Sequence, residues 1–377
     1  FFFPAEDGIR DRSPSRGLGD VYKRQKLSSM GGLTITTYLT TTVIAVSIGL
    51  LVVNTMKPGE SISDETRTEL ISAYSTNADE KREIAKEKKG SGPLQPLVDL
   101  VPSNFLGAAS DNKNMLQVIF FSILFGISMI LIPSEKAKPV KRFFDSLNDV
   151  ILKIIDIIMS CAPYGVFALL ASLIVEAPNI DLLKSLFLYS ITLLVGLFIV
   201  ISVYLLFVKI FLRRNLKDFI NGILPAQLVA FSTSSSAATL PVTMDRVENH
   251  LGVKKEVSSF VLPIGATINM DGTAVYQAVA AVFIAQTFGL DLSIVDQLGI
   301  ISTATLASIG AAAVPSAGII VLVIVLAQAG IPEAGLALIF AVDRPLDMFR
   351  TVVNVTGDAM VSLIVSKFQK TGVIILL

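Results

Sequence analysis

Cysteine and histidine are almost absent from this 377-residue chain, which carries one of each, Cys161 and His250. So sparse a supply excludes a disulfide framework and the common His/Cys metal sites. It also removes schemes that pair a nucleophile with a nearby histidine, unless His250 serves, and that residue stands in a charged stretch that reads as surface. Cys161 lies inside an apolar run and reads as a packing residue. Charge is scarce too: 16% of residues are charged and the net charge is +0, so nothing marks a nucleic-acid partner. What fills the chain is apolar. Hydrophobic residues make up 52% and the mean hydropathy is +0.68, too high for an ordinary soluble domain.

The opening stretch, FFFPAEDGIRDRSPSRGLGDVYKRQ, differs from all that follows. It is rich in Arg, Asp, Gly and Pro, has no helical period, and lacks the charged-then-apolar order of a signal peptide. It resembles translated sequencing-adapter read-through. Residues 1–25 are therefore read as a non-native segment, with the natural N-terminus missing.

A spanning helix needs about 20 predominantly apolar residues. Four uncharged runs of that scale read as single helices: Leu27–Met56, Met115–Pro133, Ile157–Val175 and Ser185–Val208. Three later runs are broken. Phe219–Met244 is interrupted by STSSSAATLP, and Val257–Leu290 carries one charge, Asp271, at its middle. Gln297–Pro332 has 36 residues without a charge, and as one helix it would reach roughly 54 Å, far beyond a hydrocarbon core of about 30 Å. Its centre, SIGAAAVPSAG, holds small residues and a proline, so two half-helices meeting at a tip fit better.

Basic residues set the orientation. Lys136, Lys138, Lys141 and Arg142 precede the third span, while Lys209, Arg213, Arg214 and Lys217 follow the fourth, so both groups lie on one side, the cytoplasm. No Lys or Arg occurs from Glu256 to Asp343, so the run 297–332 dips in from the opposite face. The last helix then runs inward to Lys367 and Lys370. Lys57–Leu100 mixes both signs of charge and reads as a solvated loop.

The last 160 or so residues repeat one plan: a hairpin with small polar residues at its tip, then a helix bearing Asn and Asp. The first copy is STSSSAATLP followed by NMDGT, Asn269 to Thr273; the second is SIGAAAVPSAG followed by DMFRTVVNVTGD, Asp347 to Asp358. A charge at the bilayer centre costs about 3 kcal/mol on insertion scales. Asp271, Asp347, Arg350 and Asp358 must therefore face inward. On a helix, Asp347, Arg350, Thr351, Asn354 and Asp358 share one face. An internal ion-pair seam between Asp347 and Arg350 is the bland reading. The functional one gives Arg350 a carboxylate, Asp347 an ammonium group, and Asp271 and Asp358 a hard cation. The threonines Thr40 to Thr42, beside Tyr38, are equally readable as hydroxyls bonded back to their own helix.

AFSTSSSAATLPVTM, LPIGATINMDGTAVYQ, ASIGAAAVPSAG and DMFRTVVNVTGD resemble the signature segments of the glutamate transporter family, the dicarboxylate/amino acid:cation symporters, with agreement from about Lys26 to Lys370. The resemblance implies an all-α polytopic membrane protein with an inverted-repeat fold and two re-entrant helical hairpins. It would be a homotrimer in the cell (inner/cytoplasmic) membrane, in contact with membrane lipid, and not an enzyme. The implied layout is a transport-domain helix at 26–56, an extracellular loop at 57–92, and scaffold and trimerisation helices at 93–178. A transport-domain helix follows at 179–214, an inner re-entrant hairpin at 215–250 and a broken helix at 257–290. An outer re-entrant hairpin at 291–332 and a final helix at 333–370 complete it. The family's first two spans are absent here. The implied activity is sodium-coupled symport of glutamate or aspartate by an elevator motion.

Matching positions imply the roles. Ser234, Ser235 and Ser236 form the inner tip against the substrate α-carboxylate. Thr273 and Arg350 meet the side-chain carboxylate, Asp347 and Thr351 the amino group, and Asn354 the α-carboxylate. Val314 and Gly318 close the outer gate. Sodium ions, up to three, would occupy one site of Gly265, Asn269, Asn354 and Asp358, a second of Thr267, Ser308, Ile309 and Ala311, and a third of Tyr38, Thr41, Thr42, Asn269 and Asp271. Ser234 and Met348 stand where some members carry a second arginine, with Arg344 nearby, and Ala313 and Ser316 stand where glycines are common. The rival readings are a C4-dicarboxylate symporter, which leaves Asp347 and Thr351 without an ammonium group, and a gated anion channel, which dead-end hairpins do not suit.

Overall fold

The computed structural model describes residues 14–63, 67–68, 115–160, 180–309 and 315–371, with the single positions 101, 104, 105, 107, 164, 168 and 313. Cys161 and most of the run 157–175 lie outside them, as do most of the loop 57–92, Ala311 and Val314. Among the described residues there is no strand; every element is helical. Helix α1 spans Pro14–Met56. Its backbone is helical from Pro14, inside the stretch that composition sets aside, and proline suits a first helical turn because its missing N–H is not needed there. It ends at Lys57, whose φ of 46° turns the chain into a short 3-10 turn, Pro58–Ser61. That turn is tied down by Ser185 Oγ, which donates to the Pro58 carbonyl at 2.9 Å, and by the Gly59 N–H, which donates to Gln286 Oε1 at 3.1 Å.

Helix α2 (Met115–Leu131) and helix α3 (Ser134–Ser160) pack on each other. The residues between the second and third apolar runs, where the sequence shows a basic cluster and the resemblance implies scaffold helices, are helical. Phe143, Leu147, Val150 and Ile154, with Ile157 at the start of the third run, recur at helical spacing and remain exposed in this single chain. Helix α4 (Ile180–Ile210) leads to the first broken run, which is two packed helices, α5 (Leu216–Thr233) and α6 (Ser236–Asn249). Asn215 caps α5, accepting from the Lys217 N–H at 2.9 Å. At the break Ser234 takes a left-handed φ of 52°, and Ser235 caps α6 by accepting from the Ala238 N–H at 3.1 Å. The exposed His250 ends α6, 2.7 Å from Arg246.

Helices α7 (Lys255–Ile268) and α8 (Asp271–Thr287) are separated by Asn269 and Met270. Next come α9 (Ile294–Ile309) and α10 (Ala317–Ala329), also packed together, and then α11 (Leu336–Thr371). The core forms around α8. It is apolar on nearly every side, all but one of its residues are buried, and it packs against α1, α4, α9, α10 and α11. Close approach is built in at Gly272, where a Cβ would run into the Arg350 carbonyl. The N-terminus of α8 is thereby pressed on the middle of α11.

Candidate functional site

Four features converge at mid-molecule: the breaks α5/α6, α7/α8 and α9/α10, and the centre of α11. Arg350 on α11 is the largest fully buried side chain. Its Nη2 lies 2.9 Å from Asp343 Oδ1 and 2.7 Å from Asp347 Oδ1. Its guanidinium stacks on the Tyr276 ring at 3.9 Å. Nε and Nη1 have no hydrogen-bond partner among the described residues. Nη1 points toward Gly318, where an added Cβ would come within 3.2 Å of it and of Thr273 Cγ2. Asp347 also accepts from the Ser316 N–H at 2.8 Å, which ties the α9/α10 tip to α11. The two tips meet each other as well: Ser235 Oγ donates to the Ala313 carbonyl at 2.7 Å. Ser236 and Ser234 are buried, the Ser234 hydroxyl without a partner among the described residues.

A second group lies below the arginine. Asp271 is fully buried; its Oδ1 accepts from Thr42 Oγ1 at 2.6 Å and its Oδ2 accepts from the Tyr204 hydroxyl. Asn269 Nδ2 donates to Asp358 Oδ1 at 2.8 Å, while Asn269 Oδ1 has no partner among the described residues. Asn354 Oδ1 accepts from the Gly272 N–H at 2.7 Å. Gly265 sits so close to Asp358 and the Tyr38 hydroxyl that no Cβ fits. The group therefore gathers carboxylate, amide and hydroxyl oxygens around the broken backbone of α7/α8, a hard-oxygen donor set.

Of the expected site residues, Arg350, Asp347, Thr273 and Gly318 sit together, with Thr351 and Asn354 on the same buried face of α11. Thr351 bonds its hydroxyl back to Asp347 O at 2.8 Å. Tyr38, Thr42, Asn269, Asp271 and Asp358 form the lower group, to which Gly265 gives close approach. Thr41 Oγ1 donates to the Tyr38 carbonyl at 3.0 Å. Ser308 is buried and donates to Thr305 O at 2.9 Å, with Ile309 half-buried and Thr267 exposed. The seam Asp347–Arg350 exists, but with a third member. Arg344 contributes one distant contact, its Nη1 3.9 Å from Asp347, and its side chain is 38% exposed.

The pattern describing the sodium:dicarboxylate symporter family matches residues 15–368. The chain is 40% identical over 370 residues to excitatory amino acid transporter 3 of Mus musculus, covering 88% of this chain and 71% of that protein. It is 37% identical to an excitatory amino acid transporter of Caenorhabditis elegans (94% and 76% covered). It is 34% identical to a proton/sodium-glutamate symport protein of Bacillus caldotenax (94% and 82%). The chain belongs to the sodium:dicarboxylate symporter family. It is a transporter rather than an enzyme. Four described helical stretches, Met30–Ser61, Asp181–Ile210, Lys255–Thr287 and Leu336–Gln369, are long and apolar enough to cross a membrane, so this symporter is a multi-pass membrane protein.

Sequence reasoning overlooked four buried groups in this symporter. Asp343 was findable, because it stands four and seven residues before Asp347 and Arg350, on their helical face. Tyr276 and Gln277 follow Thr273 on α8 but look like packing residues. Gln277 is wholly buried with neither amide atom partnered among the described residues. Tyr204 carries no local signal; only the packing of α4 on α8 brings it to Asp271.

Proposed function

We propose that the chain is a sodium-coupled symporter of acidic amino acids, glutamate or aspartate. The observation that carries this reading is the charge balance at the centre: the carboxyl groups of Asp271, Asp343, Asp347 and Asp358 are buried with one buried guanidinium, Arg350. Unpaired buried charge costs several kcal/mol per ion. Co-bound cations offset the excess of acid, and Arg350 Nη1, turned toward Gly318 and unpartnered among the described residues, offers a charged donor for a substrate carboxylate. The names of the relatives, excitatory amino acid transporters and a glutamate symporter, support the same substrate class.

In this reading Arg350 and Thr273 hold the side-chain carboxylate, Asp347 and Thr351 the amino group, and Asn354 with Ser234, Ser235 and Ser236 the α-carboxylate. Val314 and Gly318 close the outer side. Up to three sodium ions use Gly265, Asn269, Asn354 and Asp358; Thr267, Ser308, Ile309 and Ala311; and Tyr38, Thr41, Thr42, Asn269 and Asp271. The hairpins α5/α6 and α9/α10 enter the membrane from opposite faces and return, and the domain they belong to moves as an elevator. The exposed apolar faces of α2 and α3 support trimer contacts in the cell membrane.

The test is uptake of radiolabelled glutamate into proteoliposomes with and without an inward sodium gradient. Uptake is expected to require the gradient, and Arg350→Cys to abolish acidic uptake and admit neutral amino acids. Glutamate uptake that ignores sodium, or survives Arg350→Cys undiminished, overturns the assignment.

A further inference from the structure

A groove outside the site runs between α1, α4 and α11, with a volume of about 250 Å³. Leu33, Ile44, Val200, Phe207, Ile364 and Phe368 wall it. Thr37, Thr40 and Thr41 line it too, but each hydroxyl donates to a carbonyl of its own helix, at 2.7, 2.8 and 3.0 Å. Their methyl groups are what the groove meets, so its lining is apolar. The volume falls below the roughly 300–1,000 Å³ of drug-sized ligand sites. The groove extends from Val200 on α4 to Phe211 just past its end, a rise of about 16 Å, and along α1 from Leu33 to Ile48, about 22 Å, against a ~30 Å hydrocarbon core. It is long enough for the acyl chain of one leaflet.

One end is charged. Arg213, two residues past Phe211, is exposed and makes no ion pair among the described residues, whereas Lys209 stands about 200° round α4 from Phe207 and so points away from the groove. Lys367 lies over the Phe211 ring at 4.8 Å. Arg213 has a φ of 52°. That left-handed position after a helix suits glycine and strains any residue with a Cβ, yet it holds a guanidinium.

We propose that the groove binds one acyl chain of an anionic phospholipid whose phosphate rests on Lys367 and Arg213. Its floor includes Tyr204, the residue whose hydroxyl holds Asp271, so a bound chain packs against the back of the lower oxygen group and keeps water from that hydrogen bond. The inference rests on the membrane character of the chain, not on which solute it carries.

The chain has no tryptophan, so Phe207→Trp supplies a single reporter inside the groove. The full chain is reconstituted in phosphatidylcholine vesicles containing a small share of brominated phosphatidylglycerol or the same share of brominated phosphatidylcholine. Phe198→Trp, at a position 70% exposed on α4 outside the groove, is the control. Brominated phosphatidylglycerol is expected to quench the groove tryptophan with an apparent preference of up to about 30-fold, the equivalent of about 1 kcal/mol for each of two basic residues. The control should show no preference, and Lys367→Gln with Arg213→Gln should erase it. Equal quenching by both lipids overturns the proposal in favour of bulk lipid. Quenching of the control but not of the groove reporter overturns it in favour of a covering protein segment. A preference that survives the double substitution overturns the headgroup seat. Val203→Trp repeats the measurement if Phe207→Trp does not fold.

Discussion

Arg350 can be asked which of its two jobs matters, counter-ion or donor to the substrate, by replacing it with lysine. The charge survives in Arg350→Lys, and an ammonium can still approach Asp343 and Asp347, which now share Nη2 at 2.9 and 2.7 Å. What disappears is the planar spread of donors: Nη1, turned toward Gly318, and Nε on the opposite edge, neither used by a described group. A hydrogen bond to a charged group contributes about 1.5–3 kcal/mol, so losing the Nη1 donor to the substrate carboxylate lowers acidic-substrate affinity roughly 10- to 150-fold. The fold should be nearly untouched, whereas Arg350→Cys strands two buried carboxylates and costs about 3–5 kcal/mol of stability. The assay pairs the concentration dependence of glutamate uptake with a thermal unfolding curve for each variant. Arg350→Lys is expected to unfold near the wild-type temperature while needing far more glutamate. Full affinity in Arg350→Lys would show the arginine to be a structural counter-ion, and its role as donor to the substrate would have to be abandoned.

Tyr204→Phe removes one of the two donors that hold Asp271; the half-saturating sodium concentration should rise about tenfold or more, with Thr42→Ala acting in the same direction, and an unchanged sodium dependence would separate Asp271 from ion binding. Gly272→Ala drives a methyl into the Arg350 carbonyl and should cost about 1–3 kcal/mol by thermal unfolding; a neutral result would contradict the close approach of α8 and α11. Ser316 holds a φ of 60°, so Ser316→Val should lose roughly 1–2 kcal/mol while Ser316→Gly loses none; equal melting temperatures for the two would mean the left-handed turn is not kept.

How legible was this in the sequence? The breaks were, because polar and small residues inside membrane-length apolar runs have no other use: STSSSAATLP and NMDGT fall where helices end. The face of α11 was also legible, since one helix fixes the relation of Asp347 to Asp358 without any tertiary knowledge. Asp343 is on that same face and was passed over as the edge of a stretch without Lys or Arg. Helix α3 was legible only through the resemblance, which gives 93–178 to scaffold helices; a search for uncharged runs passes over it because Lys, Arg and Asp interrupt its apolar positions. Tyr204 was beyond reach for a different reason: a tyrosine in an apolar helix is a packing residue unless something across the fold needs its hydroxyl.

That last case bears on how the site works. The lower oxygen group draws Thr42 from α1, Tyr204 from α4, Asp271 from the start of α8 and Asp358 from α11. Arg350 and Asp358 share a helix, and Gly272, next to Asp271, is packed on the Arg350 backbone. In the proposed reading, a cation that draws these oxygens together would also fix the stretch of α11 that presents the guanidinium, and coupling of ion to solute would need no distant signal. It would need only that α8 and α11 hold their close approach at Gly272, which the glycine permits.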